Sequence, residues 1–167
     1  MIVREMSDEE CRGLLARVDF GRLATVYQNQ PYIVPIYFSY EPEHLYGFTT
    51  LGRKVEWMRA NPRVCVEVDD VLSHFHWSSV LVFGRYEELP DTSAYREARL
   101  QAQIRLEKRV LWWQTAYAAG QARSSVQPAD ALFYRICIDE MTGRRATPDP
   151  VESAVGLSSA ARPVREK

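Results

Sequence analysis

An α+β fold built on an antiparallel barrel is what this chain predicts, and three observations predict it. Six short segments show the period-two alternation of half-buried strands, separated by turn residues at hairpin spacing. Helical patterns are inserted between them at irregular intervals, not in the strict strand–helix alternation of a parallel sheet. The length of 167 residues, with 46% hydrophobic content, suits a single domain with a real core.

The elements follow in order. Ser7-Asp8-Glu9-Glu10 has the form of a capping box, and Cys11, Leu14, Leu15 and Val18 follow at i, i+3, i+4 and i+7. A first helix of about three turns is expected there. Residues 20–27 (FGRLATVY) read as a strand, 28–31 (QNQP) as its turn, and 32–40 (YIVPIYFSY) as the next strand. Pro35 cannot donate a ladder hydrogen bond, so its position must be an edge, a bulge, or a place approached by something other than a strand. Residues 45–50 form a third strand, and a short amphipathic helix then stops at Asn61-Pro62. Residues 64–68 alternate as a half-buried strand, and 69–75 read as a polar connection. Residues 77–89 (WSSVLVFGRYEEL) form a long strand with Gly84 as a bulge or bend. From Asp91 to about Tyr117 the pattern is helical, with Tyr95, Ala98, Ala102 and Leu106 on one stripe. Residues 120–128 form a loop and 131–138 (ALFYRICI) a last strand. From Arg144 onward Pro, Ser, Ala and charge dominate without periodicity. The chain divides into a domain over 1–145 and a disordered tail over 146–167.

Composition excludes several function classes. A net charge of −1 and a pI near 6.3 draw the chain neither to nucleic acid nor to an acidic membrane. No apolar run approaches the ~20 residues of a membrane span, and MIVREMSDEEC is too charged for a signal peptide. Cys11, Cys65 and Cys137 are an odd number without CxxC spacing, and each lies in an apolar pattern. Buried thiols in a reducing cytoplasm are the expected reading.

The stretch richest in chemistry is FTTLGRKVEWMRANPRVCVEV, residues 48–68. Thr49 and Thr50 offer hydroxyls, Gly52 permits a tight turn, and Arg53 and Lys54 stand where a helix begins. Unpaired N–H groups at a helix start favour anions, and two cations add to them. From these residue types alone, a phosphate site and a solvated basic turn are both open.

Four pieces together resemble the FMN-binding split barrel of the pyridoxamine 5′-phosphate oxidase-like superfamily. They are GRLATV at 21–26, QPYIVPIYF at 30–38, FTTLGRKVEWMRANPRVCVEVD at 48–69 and WSSVLVFGRYEEL at 77–89. They stand in family order over roughly residues 5–140, and the Tyr134-Arg135-Ile136 and Thr142-Gly143-Arg144 steps also match. The resemblance implies a six-stranded antiparallel split barrel and FMN at a homodimer interface. It places the phosphate on Thr49, Thr50, Arg53 and Lys54, a polar flavin contact at Ser79, and the isoalloxazine ring along the backbone of Pro35, Ile36 and Tyr37. True pyridoxamine 5′-phosphate oxidases carry an arginine early in the second strand and a C-terminal Arg-x-His. This chain has Ile33-Val34-Pro35 and no such motif after Ile138. It is more similar to the nitroimidazole-resistance, flavin-nucleotide-binding branch, although that branch often has a histidine where Thr49 stands here.

Other residues invite weaker readings. His74 and His76 would share a strand face, but a metal needs further ligands and only Asp69, Asp70 and distant His44 are on offer. A polar loop at the barrel rim is the expectation, with no metal. Trp112-Trp113 and Tyr117 suit dimer or core packing better than a flavin lid. Glu67 and Asp69 read as a solvated strand face, and Cys65 as a buried inert thiol. The resemblance therefore implies a cytoplasmic, homodimeric FMN-dependent oxidoreductase. It would use NAD(P)H to reduce a small conjugated or nitro compound. Alternatives are a non-catalytic flavin-binding protein, or a split barrel that uses deazaflavin or haem. Because the flavin would carry the chemistry, no catalytic acid or base is assigned.

Overall fold

In the computed structural model, residues 1–107 and 132–149 are described. They form β1 (Ile2–Glu5), α1 (Asp8–Arg17), β2 (Phe20–Tyr27), β3 (Gln30–Tyr37), β4 (Ser39–Glu41), β5 (His44–Thr49), α2 (Arg53–Ala60), β6 (Arg63–Ser73), β7 (His76–Glu88), α3 (Arg96–Glu107) and β8 (Leu132–Thr147). The expected α+β, antiparallel architecture is what the chain adopts, with eight strands among the described residues in place of six. The expected second strand divides at Phe38 into β3 and β4, and the N-terminal residues add β1.

The strand order is β3-β2-β6-β7-β8-β5-β4, with β1 pairing β8. Consecutive strands β3 and β4 therefore lie at opposite ends of one sheet, joined through Phe38 alone. That residue is fully buried, and its N–H donates to the Asp19 carbonyl at 3.0 Å or less (2.9 Å). The sheet curls until its two ends meet at a covalent step where a closed barrel would have a hydrogen-bonded ladder. Pro35 lies on β3, which among the described residues pairs only with β2, so the edge is the correct one of its three options.

Inward residues alternate as the pattern requires: Leu23 on β2, Val64, Val66 and Val68 on β6, Val80 and Val82 on β7. Burying a Val or Leu side chain contributes about 1.5–3 kcal/mol, so this shared face dominates stability. Two glycines permit close approaches. A Cβ at Gly47 would lie 2.2 Å from Tyr134 Cζ, and one at Gly84 would lie 2.3 Å from the Cys137 carbonyl oxygen. The register does shift beside Gly84, but the extra residue of the bulge is Asp139 on β8, where Arg85 pairs with it.

Several boundaries differ from expectation. Residues 69–73 continue β6, and Val71, Leu72 and Phe75 make the hairpin tip apolar and exposed. Strand β8 runs through Thr147, and Ala146 is completely buried. The stretch after Arg144 is thus ladder and not tail, because β1 pairs with it from Ile2↔Thr147 to Glu5↔Arg144. Helix α3 opens at Arg96, after a bend over 91–95. Its stripe holds, with Tyr95 and Ala98 packed around buried Ala102. Trp112, Trp113, Tyr117, the loop over 120–128 and residues 150–167 lie outside the described residues. Cys11 is buried, but Cys65 and Cys137 are only half-buried, on the sheet's other face. No helix among the described residues is long and apolar enough to cross a membrane.

Candidate functional site

The local chain dictates how α2 begins. Strand β5 ends at Thr49, whose hydroxyl donates to the Thr50 carbonyl at 3.2 Å. Three residues then lead to α2, whose N-cap is Gly52. The chain bends at 51–52 into the helix as expected, and Gly52 does so in extended backbone at φ 162°, without a left-handed conformation. What glycine provides is emptiness. No atom lies within 4 Å of where its Cβ would be, and no side chain caps the helix. The first-turn N–H groups have no carbonyl one turn earlier to receive them, so they face outward at the positive end of the helix.

Lys54 stands in that first turn. Burial strips water from its ammonium and pulls its pKa below the usual lysine range. It is half-buried, and no carboxylate among the described residues pairs with it. Burying a cation without a counter-charge is costly, so an anion from outside would relieve it. Arg53 is exposed, its guanidinium 5.9 Å from the centre of the Tyr32 ring. An open helix start, an unpaired half-buried cation and a neighbouring arginine fit the phosphate end of a flavin nucleotide.

Thr49, Thr50, Arg53 and Lys54 thus gather within one strand-to-helix junction. Pro35, Ile36 and Tyr37 lie elsewhere, on the free edge strand. Ile36 is buried in the core, so only its backbone faces outward, while Pro35 and Tyr37 are exposed. Ser79 lies on the outer face of β7, opposite Asp69. Its hydroxyl donates to Glu67 Oε1 at 3.0 Å, which leaves the oxygen's lone pairs for another donor.

Sequence reasoning missed Arg22. It stands on the same outer face, paired with Glu67 Oε2 at 2.9 Å and with Asp69. Glu67 and Asp69 are therefore half-buried partners in an ion network and not a simply solvated face. Bonding to Asp69, then to Glu67, raises the Arg22 pKa further. Around the network lies a row of apolar residues. Ile33, Ala24, Cys65 and Phe83 occupy matching registers on β3, β2, β6 and β7, and Leu81 follows. Ile33 is 66% exposed and Phe83 42%. Burial, followed by repulsion from Glu67, pushes the Cys65 thiol pKa up, so it stays protonated and unreactive. His74 and His76 are exposed at the far hairpin, and no cluster of three metal-ligating side chains occurs among the described residues.

Comparison with known proteins agrees with this reading of the fold. Residues 7–145 match the family described as pyridoxamine 5′-phosphate oxidase. An uncharacterized protein of Rhizobium meliloti (strain 1021), RA0666, is 40% identical over 146 residues, covering 87% of this chain and 97% of that protein. The crystal structure of a FAD-binding protein from Mesorhizobium loti is also 40% identical, covers 88% of this chain and all of that one, and superposes with a TM-score of 0.71. A FAD binding protein from Mycobacterium smegmatis is 26% identical, covers 87% of this chain and all of that one, and has a TM-score of 0.64. The chain belongs to the pyridoxamine 5′-phosphate oxidase family, and its fold is that family's split barrel.

Proposed function

We propose that this protein is a homodimeric, flavin-dependent oxidoreductase that takes hydride from NAD(P)H and reduces a small conjugated or nitro compound. One observation carries the reading: Lys54, a half-buried cation with no carboxylate partner among the described residues, stands at the uncapped start of α2. Family membership supports it, as do the two relatives whose names state that they bind FAD. Thr49, Thr50, Arg53 and Lys54 hold the phosphate common to FMN and FAD. The backbone at Pro35, Ile36 and Tyr37 borders the ring system, where the missing N–H of Pro35 costs no ladder bond. Ser79 accepts a hydrogen bond from the ring. A bound flavin supplies the two-electron chemistry, while the chain binds, orients and excludes water.

The apolar row from Ile33 to Phe83 supports the homodimer, because a monomer of this size rarely leaves so continuous an apolar face open. The Ile33–Pro35 stretch and the C-terminal strand lack the groups that would clamp pyridoxamine 5′-phosphate, so that compound is a poor substrate. The deciding experiment is an absorbance spectrum of the purified protein, followed by NAD(P)H oxidation assays. The two-banded visible spectrum of oxidised flavin with NAD(P)H turnover is expected. Flavin without turnover would leave a carrier, and a Soret band would replace flavin by haem.

A further inference from the structure

The outer face of the sheet holds a hydroxyl whose direction its neighbours fix. Alternation along β6 turns Val66 and Val68 inward and leaves Glu67 and Asp69 outward, and Ser79 faces outward on β7. Asp69 stands directly opposite Ser79, yet its carboxylate goes to Arg22. Glu67, the diagonal neighbour, takes the serine instead. Its Oε1 accepts from Ser79 Oγ at 3.0 Å, and its Oε2 accepts from Arg22 Nη1 at 2.9 Å. Donors from two different strands therefore hold both carboxylate oxygens. A carboxylate paired with a guanidinium can only accept, so the serine's single hydrogen lies on the bond to Glu67. What the half-buried Ser79 presents outward is lone pairs alone, and no donor among the described residues reaches them.

We propose that Glu67, held by Arg22, makes Ser79 an obligate acceptor, and that this polarity selects the ligand group met at β7, an imide N–H. The proposal rests on the flavin reading above and sharpens it. An oxidised isoalloxazine carries one N–H, on the imide nitrogen N3 of its pyrimidine ring. Its nitrogens N1 and N5 and its two carbonyl oxygens can only accept. A serine free to rotate would serve any of these atoms. One whose hydrogen is committed serves N3–H and leaves the acceptors unpaired, which costs affinity for every other presentation of the ring. Glu67 and Arg22 are thus positioning residues that need not touch the ring, and they set which end of it faces β7. This relay reads the ring and not the chain attached to it, so it acts alike on riboflavin, FMN and FAD.

The test is a titration of the full-length, flavin-stripped protein with FMN and with 3-methyl-FMN, which carries a methyl group in place of the imide hydrogen, each followed by flavin fluorescence. The unaltered protein should prefer FMN by at least about tenfold, the value of one hydrogen bond made in a site that offers no alternative donor. Glu67→Gln then tests the relay at constant shape. Arg22 can only donate, so it claims the amide oxygen and turns the amide NH2 toward Ser79, whose hydrogen must now point outward. The preference for FMN should narrow by about tenfold, while any effect of the lost charge falls on both ligands alike because both carry the same phosphate. Ser79→Ala should narrow it as far, and adding Glu67→Gln to that variant should change nothing further. Equal affinities in the unaltered protein, a measurement that needs no variant to fold, would overturn the acceptor assignment and leave flavin binding in place. A preference that survives Glu67→Gln at full size, or further narrowing in the double variant, would overturn the part given to Glu67. Failure of the unaltered protein to bind either compound would instead strike the flavin reading, and this proposal with it.

Discussion

Two helices of this domain begin in opposite ways. Helix α1 is sealed from within: Ser7 Oγ accepts from the Glu10 N–H at 3.3 Å, and Glu10 Oε2 accepts from the Ser7 N–H at 3.0 Å. Three acidic residues fill its first turn, where the helix dipole favours them. Arg4 and Arg145 then neutralise Glu10. Helix α2 has no such seal, and its first turn holds one acidic residue, Glu56. Its N-cap is a glycine with no side-chain bond, and Arg53 and Lys54 stand at its positive end, where the dipole disfavours them by about 0.3–1 kcal/mol each. One start is built to hold the fold together and the other is left open toward an outside anion. The difference teaches that a locally unfavourable choice, in a domain able to make the favourable one elsewhere, marks a binding site.

The contrast can be broken most forcefully by giving α2 the start that α1 has. Gly52→Asp places a capping carboxylate into open space, in extended backbone that accepts a side chain. Flavin nucleotide affinity should fall by roughly a hundredfold or more, since like charges a few ångströms apart repel strongly. Thermal stability should meanwhile rise by a few tenths to about 1 kcal/mol. Loss of both together would point to misfolding and not to charge.

A smaller effect separates the phosphate from the ring. Lys54→Ala removes a charge-assisted hydrogen bond of about 1.5–3 kcal/mol, so FMN binding should weaken roughly ten- to a hundredfold while riboflavin binding hardly changes. Equal losses for both ligands would mean the phosphate lies elsewhere. The Lys54 pKa is lowered by burial, so its charge is lost as pH rises at a lower pH than for an ordinary lysine. FMN affinity should therefore decline on the alkaline side in the unaltered protein and hold further up in Lys54→Arg.

At α1 the same logic predicts stability changes without binding changes. Ser7→Ala should cost about 1 kcal/mol in denaturant unfolding and leave flavin titrations untouched. The least effect is in pH dependence. The Glu10 carboxyl is lowered from 4.5 to about 2, chiefly by the hydrogen bond from Arg4, then by the Ser7 N–H. A carboxyl with a depressed folded-state pKa stabilises above its unfolded value and loses that contribution as pH falls through the folded one. The gap in melting temperature between the unaltered protein and Glu10→Gln should be complete at neutral pH and close between about pH 4.5 and about pH 2. A gap that persists at pH 2 would show that Glu10 acts by packing.

Much of this was legible in the residues. The capping box at Ser7, the alternation through β2, β6 and β7, and the exclusion of Pro35 from a regular central ladder all follow from local rules that tertiary context leaves alone. The strand-to-helix junction was legible too, because its chemistry lies in adjacent residues. What escaped needs partners distant in sequence. The strand status of 144–147 depends on β1, and Val71 extends a ladder whose other half is Trp77. Arg22 has meaning only beside Glu67 and Asp69, which lie 45 and 47 positions away. Gly52 read as a turn and the chain does bend there, but that it leaves the helix start without a side-chain cap shows only in the structure.

The pairing of β1 with the far end of β8 bears on how the protein is made. Residues 2–5 are translated long before 144–147, yet those are their strand partners among the described residues. β8 is also the sole link between β7 and β5 in the sheet. Until it is synthesised, the β2-β3-β6-β7 half has an open edge and β4-β5 is a two-stranded ribbon, each exposing strands to stray pairing. Barrel assembly therefore waits for nearly the whole domain to be translated, with a high contact order that slows it further. Any chain stalled before β8 would be a substrate for chaperones, whatever the stability of the finished fold.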